Sequence, residues 1–387
     1  MRRPSLSIVY FASALAIVVL GDFLLYAILP SYYTQLEFAP IQVGILLSVN
    51  RWIRVFTNHL VEYCYRRYPS NLWLVGAFFT GSFVIAVYGL ADMFALFFVA
   101  RILWGVSFSF LRQAGVMTVV RSTSATHLGE RMGFFRGILA IWLTIGLFLG
   151  SLSHDIYGFT TTLVCLSILS LISVPLGALS QKNIPQLSER FSKSTPGKID
   201  ALVICYGFVI GLVGAGMIMS TLGLILKEQV GESMEIAGYT VGVATLTGIM
   251  LGIRWFIDGL GSPILGAIAD RFGRQRSIAV LLTINTVTLL AVSFLTKPTL
   301  LILLIVLFFI CTTALMTLLS AQAGQSGPRS VASYSTSVDL GMSMGPLIGW
   351  SIAQLELPTS FVFLSGCAIF FIAALIALKT LGFRGQA

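Results

Sequence analysis

The sequence predicts an all-α polytopic membrane protein, and three observations carry that prediction. Of its 387 residues 57% are hydrophobic and only 10% charged, a balance outside that of water-soluble domains. Charge is confined to short clusters, and the apolar runs between them are about twenty residues long, the length a helix needs to cross a hydrocarbon core of about 30 Å. A barrel would need segments of about ten alternating residues, and no such alternation is present.

Twelve transmembrane helices follow, at 7–29, 42–64, 72–91, 94–120, 130–152, 158–179, 202–226, 238–269, 277–295, 299–320, 331–353 and 359–380. The first run, from Leu6 to Leu29, is too long for a secretory h-region and has no small-residue cleavage site, so it reads as a span. After the sixth span comes the longest polar stretch, "SQKNIPQLSERFSKSTPGKID" (Ser180 to Asp200). It reads as a linker, 180–200, between two six-helix bundles at 1–179 and 201–387. One side of the membrane collects Arg2, Arg3, Arg66, Arg67, Arg121, Lys182, Arg190, Lys193, Lys198, Arg271, Arg274, Arg276, Arg329 and Arg384, and the other little beyond Lys227 and Lys297. Both termini and the linker are therefore expected in the cytoplasm. The net charge of +9 is read as this same bias, with no nucleic-acid partner. Cys64, Cys165, Cys205, Cys311 and Cys367 have no paired or metal-ligand spacing and read as packing residues.

The two halves echo each other. Asn58, Glu62, Arg66 and Arg67 close the second span, and "GAIADRFGRQR" (Gly266 to Arg276) closes the eighth, with Gly266, Asp270 and Arg274 at the same spacing. "GER" (Gly129 to Arg131) precedes the fifth span as "GPR" (Gly327 to Arg329) precedes the eleventh. Internal repeats of this kind build many secondary transporters, whose substrate site lies near the midplane between the halves.

These residues resemble the major facilitator superfamily. "GAIADRFGRQR" is similar to its loop motif, G-x-x-x-D-R-x-G-R-[RK], with Gln275 and the one-residue displacement of Arg276 as departures. "RILWG" (Arg101 to Gly105) looks like the fourth-helix motif R-x-x-q-G of the drug:proton antiporter branch, with Trp104 at the Gln position, and "DLGMSMGPLIG" (Asp339 to Gly349) is similar to the usual eleventh helix. The first-half copy of the loop motif is degraded, and the fifth helix lacks the Gly-Pro pair of a drug exporter. The resemblance implies a gate at Gly266, Asp270, Arg271, Gly273, Arg274 and Asp339, setting conformational balance without touching substrate.

Ionisable residues inside a membrane are costly unless paired or hydrated, so each is a functional candidate. Arg51, Arg54, Asn58 and Glu62 are spaced i, i+3, i+7 and i+11 along the second span and form one polar stripe facing a cavity. Arg101, Trp104, Phe108 and Arg112 repeat that spacing on the fourth, with Gly105 leaving room beside Arg101. Asp22 is the one acid of the first span, aligned with Tyr26 and Tyr33. Asp22 is expected to carry a proton, with Glu62 as a second carrier; alternatively, Asp22 pairs permanently with an arginine. Arg254 and Asp258 are i, i+4 on the eighth span and are expected to pair.

The expected protein is a secondary active transporter, working by alternating access in the cytoplasmic (inner) membrane of a bacterium, as a monomer and without cofactor or metal. Proton coupling through Asp22 and Glu62 is expected. Arg51, Arg54, Tyr26, Arg101, Trp104, Arg112, Arg254 and Asp258 line the site, and the excess of arginine points to a small-molecule substrate with an anionic group. "RILWG" favours export; an importer of an organic anion or siderophore would use the same charges, and a lipid flippase would share the fold. An enzyme would need a nucleophile and base or a metal cluster, and His59, His127 and His154 show no such spacing.

Overall fold

Apolar runs become helices because, in lipid, every backbone N–H and C=O must find its partner within the segment. The computed structural model describes residues 6–67, 70–123, 127–182, 200–236, 238–295 and 297–384. Among these described residues the spans form twelve helical rods. Five are single helices: α1 (Leu6–Tyr32), α2 (Pro40–Arg67), α3 (Ser70–Leu90), α4 (Phe94–Arg121) and α5 (Leu128–Tyr157). The sixth rod is α6 (Phe159–Ser170) followed by α7 (Ser173–Gln181). The seventh is α8 (Ala201–Ile210), a π-helical segment at Gly211–Ile218 and α9 (Met219–Val230). The eighth is α10 (Val243–Phe256), a π-helical segment at Ile257–Gly261 and α11 (Ser262–Phe272). Then come α12 (Arg274–Ser293), α13 (Pro298–Gln325), α14 (Pro328–Gln354) and α15 (Ser360–Arg384). Among the described residues, 10 helical stretches are long and apolar enough to cross a membrane. The remaining rods are α2, which carries Arg51 and Arg54 in its middle, and α14, whose apolar face is diluted by serine and glycine.

One span needs correction. The eighth was expected to begin at 238, but strands β1 (Ser233–Ile236) and β2 (Tyr239–Gly242) form a hairpin there and the helix starts at Val243. Gly238 takes φ 84°, a turn conformation, and the Tyr-Thr-Val run after it favours strand over helix. Of the expected linker, Ser180 and Gln181 continue α7, and Asp200 caps α8 by accepting the Leu202 N–H at 3.0 Å. Residues 183–199 lie outside those described.

The chain divides into two compact units. The first comprises Met1–Phe38, Val49–Ser192 and Val241–Gly259, and the second Ala39–Ser48, Lys193–Thr240 and Leu260–Ala387. In the first, α1 packs on α5 where Gly146 and Gly150 admit the Leu20 and Leu24 side chains, and on α3 where Phe11 meets Phe78 edge-on at 5.8 Å. In the second, α14 lies against the seventh rod at backbone contact: Gly211 abuts Val338, Gly341 abuts Phe208, and any Cβ there would overlap the facing main chain. Small residues allow this approach where lipid supplies no hydrophobic drive between helices. Trp350 Nε1 donates to the Ser220 carbonyl at 3.2 Å and fixes the depth of α14.

Candidate functional site

The first unit gathers most of the ionisable residues expected in the membrane. Asp22 lies ten residues before the end of α1, and Arg51 and Arg254 each lie eleven residues into α2 and α10. At 1.5 Å per residue all three sit roughly 15 Å from their helix ends, half the thickness of a hydrocarbon core. Three helices thus deliver charge at one depth.

Asp22 forms an ion pair with Arg101 of α4, whose Nη1 donates to Oδ1; Arg101 is fully buried and the Asp22 side chain only 12% exposed. Asn50 Nδ2 of α2 donates to the same carboxylate oxygen at 3.3 Å. The Arg101 guanidinium lies 5.9 Å from the ring centroid of Tyr88, itself buried on α3. Among the alternatives for Asp22, the arginine observed against it is Arg101.

Arg51 is buried, with its guanidinium 5.3 Å from the ring centroid of Tyr26, which is fully enclosed. One turn on, Arg54 is half-buried and lies 5.1 Å from the Phe108 centroid. The seam between α2 and α4 continues in a 2.8 Å hydrogen bond between the Thr57 and Ser109 hydroxyls. Cation–π placement suits an arginine held in a desolvated site, since the ring face supplies negative potential without a second ionised group. Arg254 is buried on α10, 5.7 Å from the Trp255 centroid, and Trp255 meets Phe23 of α1 edge-on at 4.7 Å. Asp258, four residues farther along the same rod, is half-buried.

Other expected residues are placed differently. Trp104 is enclosed in the bundle, 1% exposed, with its ring 5.7 Å from that of Phe108. Gly105 makes room for the backbone of α2: a Cβ there would stand 2.6 Å from the Asn50 carbonyl. The expectation that it clears space for Arg101 is corrected, because Arg101 extends to α1 and α3 while Gly105 faces α2. Arg112 is exposed. Of the gate residues, Arg271 is exposed, Gly273 turns the chain at φ 88° between α11 and α12, Arg274 opens α12, and Asp339 is half-buried on α14. The side chains of Glu62, Gly266 and Asp270 lie outside those described.

Three residues escaped the sequence reading. Asn50 and Tyr88 join the Asp22–Arg101 pair from other helices, and neither carries a pattern that marks it. Asp155, at the end of α5, accepts both the backbone N–H of Thr245 at 2.8 Å and its hydroxyl at 2.5 Å. It thereby caps α10, satisfying one of the donors that a helix leaves free at its start. Farther along the same seam Thr144 Oγ1 donates to the Gly252 carbonyl at 3.1 Å. Among the described residues no group of three His, Cys, Asp or Glu side chains is placed to hold a metal.

Comparison with known proteins agrees with this architecture. Multidrug resistance protein MdtG of Rahnella sp. (strain Y9602) is 26% identical over 323 residues, covering 78% of this chain and 73% of that protein. The chromaffin granule amine transporter of Rattus norvegicus is 24% identical over 247 residues, 62% of this chain, which spans only 45% of that relative. A bacterial homolog to the human lysosomal transporter Spinster, solved in an inward-facing and occupied conformation, superposes with a TM-score of 0.79 at 11% identity, covering 96% of this chain and 95% of that one. The nucleoside transporter NupG superposes at 0.72 with 13% identity, covering 96% and 99%. At such identities the superpositions establish the fold alone. Residues 11–258 match the Major Facilitator Superfamily, and with well over half of the chain inside that match, this protein belongs to the superfamily as a membrane-embedded secondary transporter, not an enzyme.

Proposed function

We propose that the chain is a proton-coupled transporter of a small organic solute bearing an anionic group, acting in the cytoplasmic membrane of a bacterium with both termini inside. The observation that carries this reading is the Asp22–Arg101 pair set among further arginines. Arg51, Arg54, Arg101 and Arg254 outnumber Asp22, Glu62 and Asp258 on the same rods, so the charge carried there is net positive. A guanidinium recognises carboxylate or phosphate through two parallel hydrogen bonds. An anion that reaches Arg101 competes with the Asp22 carboxylate, and a proton on Asp22 removes that competitor. Proton and anion binding are then mutually favourable, as linkage requires, and the two travel in the same direction.

Efflux is the second reading, supported by the names of the multidrug-resistance and amine-transporter relatives and by "RILWG". Purified protein in proteoliposomes, with an imposed pH gradient and a panel of organic anions and amines, separates the two. The expected result is accumulation of an anion on the alkaline side, with Arg51→Ala weakening binding by about 1.5–3 kcal/mol and Arg51→Lys recovering part of the loss, since it keeps charge but not the planar fork. Movement of amines against the proton gradient, indifferent to Arg51→Ala, would replace the anion reading with efflux.

A further inference from the structure

The second unit contains a cavity of about 210 Å³ far along the chain from the charge cluster, where α8, α12, α13 and α15 come together. One water takes about 30 Å³ of liquid, so the space suits a small organic group. Its polar lining is Asp200, Tyr206, Gln275, Gln322 and Thr380, and among the described lining residues Asp200 is the one charged group. The carboxylate is held in place: Oδ1 accepts the Leu202 N–H at 3.0 Å and Oδ2 accepts Gln322 Nε2 at 3.1 Å. That second bond orients the Gln322 amide, and its carbonyl oxygen is left buried without a hydrogen-bond partner. The Tyr206 hydroxyl, on a residue only 4% exposed, also lacks a hydrogen bond of normal geometry, and Thr380 lines the same cavity. Buried polar atoms of this kind carry a desolvation cost until something satisfies them.

The groups that need satisfying are acceptors or hydroxyls, and the fixed charge is negative. Gln275 adds to this from the first turn of α12. It stands where the loop motif that this segment resembles carries Arg or Lys, so the departure from the motif removes a positive charge from the cavity lining. The geometry points to a binding site for a small organic ammonium group, its N–H donors shared among the Asp200 carboxylate, the Gln322 carbonyl and the Tyr206 hydroxyl, with Ile278 and Leu319 against its carbon atoms. Three donors on an ammonium match that acceptor set.

The test is binding of ethanolammonium to the purified full chain in lipid-free detergent, read as the shift in thermal unfolding against concentration, with ethylene glycol and sodium chloride as controls. The expected result is saturable stabilisation by ethanolammonium alone. Asp200→Asn, which retains a good helix cap, should weaken it tenfold or more, Tyr206→Phe several-fold, and Gln275→Lys, which restores the motif's charge, should abolish it. The same titration in nanodiscs of phosphatidylethanolamine and of phosphatidylcholine identifies the natural source. Competition confined to the former marks the lipid headgroup as occupant, and equal binding in both marks a free amine. Stabilisation equal in wild type, Asp200→Asn and Gln275→Lys, an equal response to sodium chloride, or no response to ethanolammonium would each overturn the proposal. None of these measurements involves transport, so they stand or fall apart from the reading of the charge cluster.

Discussion

Replacing Asp22 and Arg101 singly and together measures whether the pair is a buried unit. Arg101 is fully buried and Asp22 nearly so. Removing either partner leaves an ionised group in a medium that solvates it poorly, a loss of about 3–5 kcal/mol for pairs of this kind. Asn50 moderates the loss when Arg101 is removed, since its amide still donates to Asp22 at 3.3 Å; Arg101→Ala should therefore fall at the low end and Asp22→Ala at the high end. The double variant leaves neither charge behind and loses only packing, so its destabilisation should be well below the sum, with a coupling of about 3 kcal/mol. Apparent Tm in detergent, measured at one scan rate for the four proteins, reads this as single-variant falls on the order of 10 °C and a double variant no worse than the poorer single. Falls that simply add would refute the reasoning, because they would mean that the two charges are solvated independently.

Asp22→Asn mimics the protonated acid, so gradient-driven accumulation should disappear while substrate exchange across the vesicle persists; a retained pH-driven gradient would remove Asp22 from the coupling step. Asp155→Ala deletes the cap of α10 and should cost about 0.5–2 kcal/mol, with Asp155→Asn milder, as measured by apparent Tm. Gly105→Ala places a methyl group 2.6 Å from the Asn50 carbonyl. Separating α2 from α4 to accommodate it should cost about 1–3 kcal/mol and reduce transport more than expression, since Asn50 is moved off Asp22.

The membrane class and the spans were legible because burial in lipid acts on each segment by itself. A run of about twenty apolar residues must become a helix whatever its neighbours do. The mid-span charges were legible for the same reason: an arginine there is costly enough to single itself out. Who meets whom was not. Asp22 and Arg101 are 79 residues apart in the chain, Asp155 and Thr245 are 90 apart, and their meeting depends on how each helix is turned about its axis. That rotation is set by close backbone approaches such as Gly105 on Asn50 and Gly341 on Phe208, where the fit of two surfaces decides and neither sequence alone carries the answer. Hence the sequence by itself determined that charge would lie at the middle of this membrane protein. The packing alone decided that Asp22 pairs with Arg101, over Tyr88 and beside Asn50.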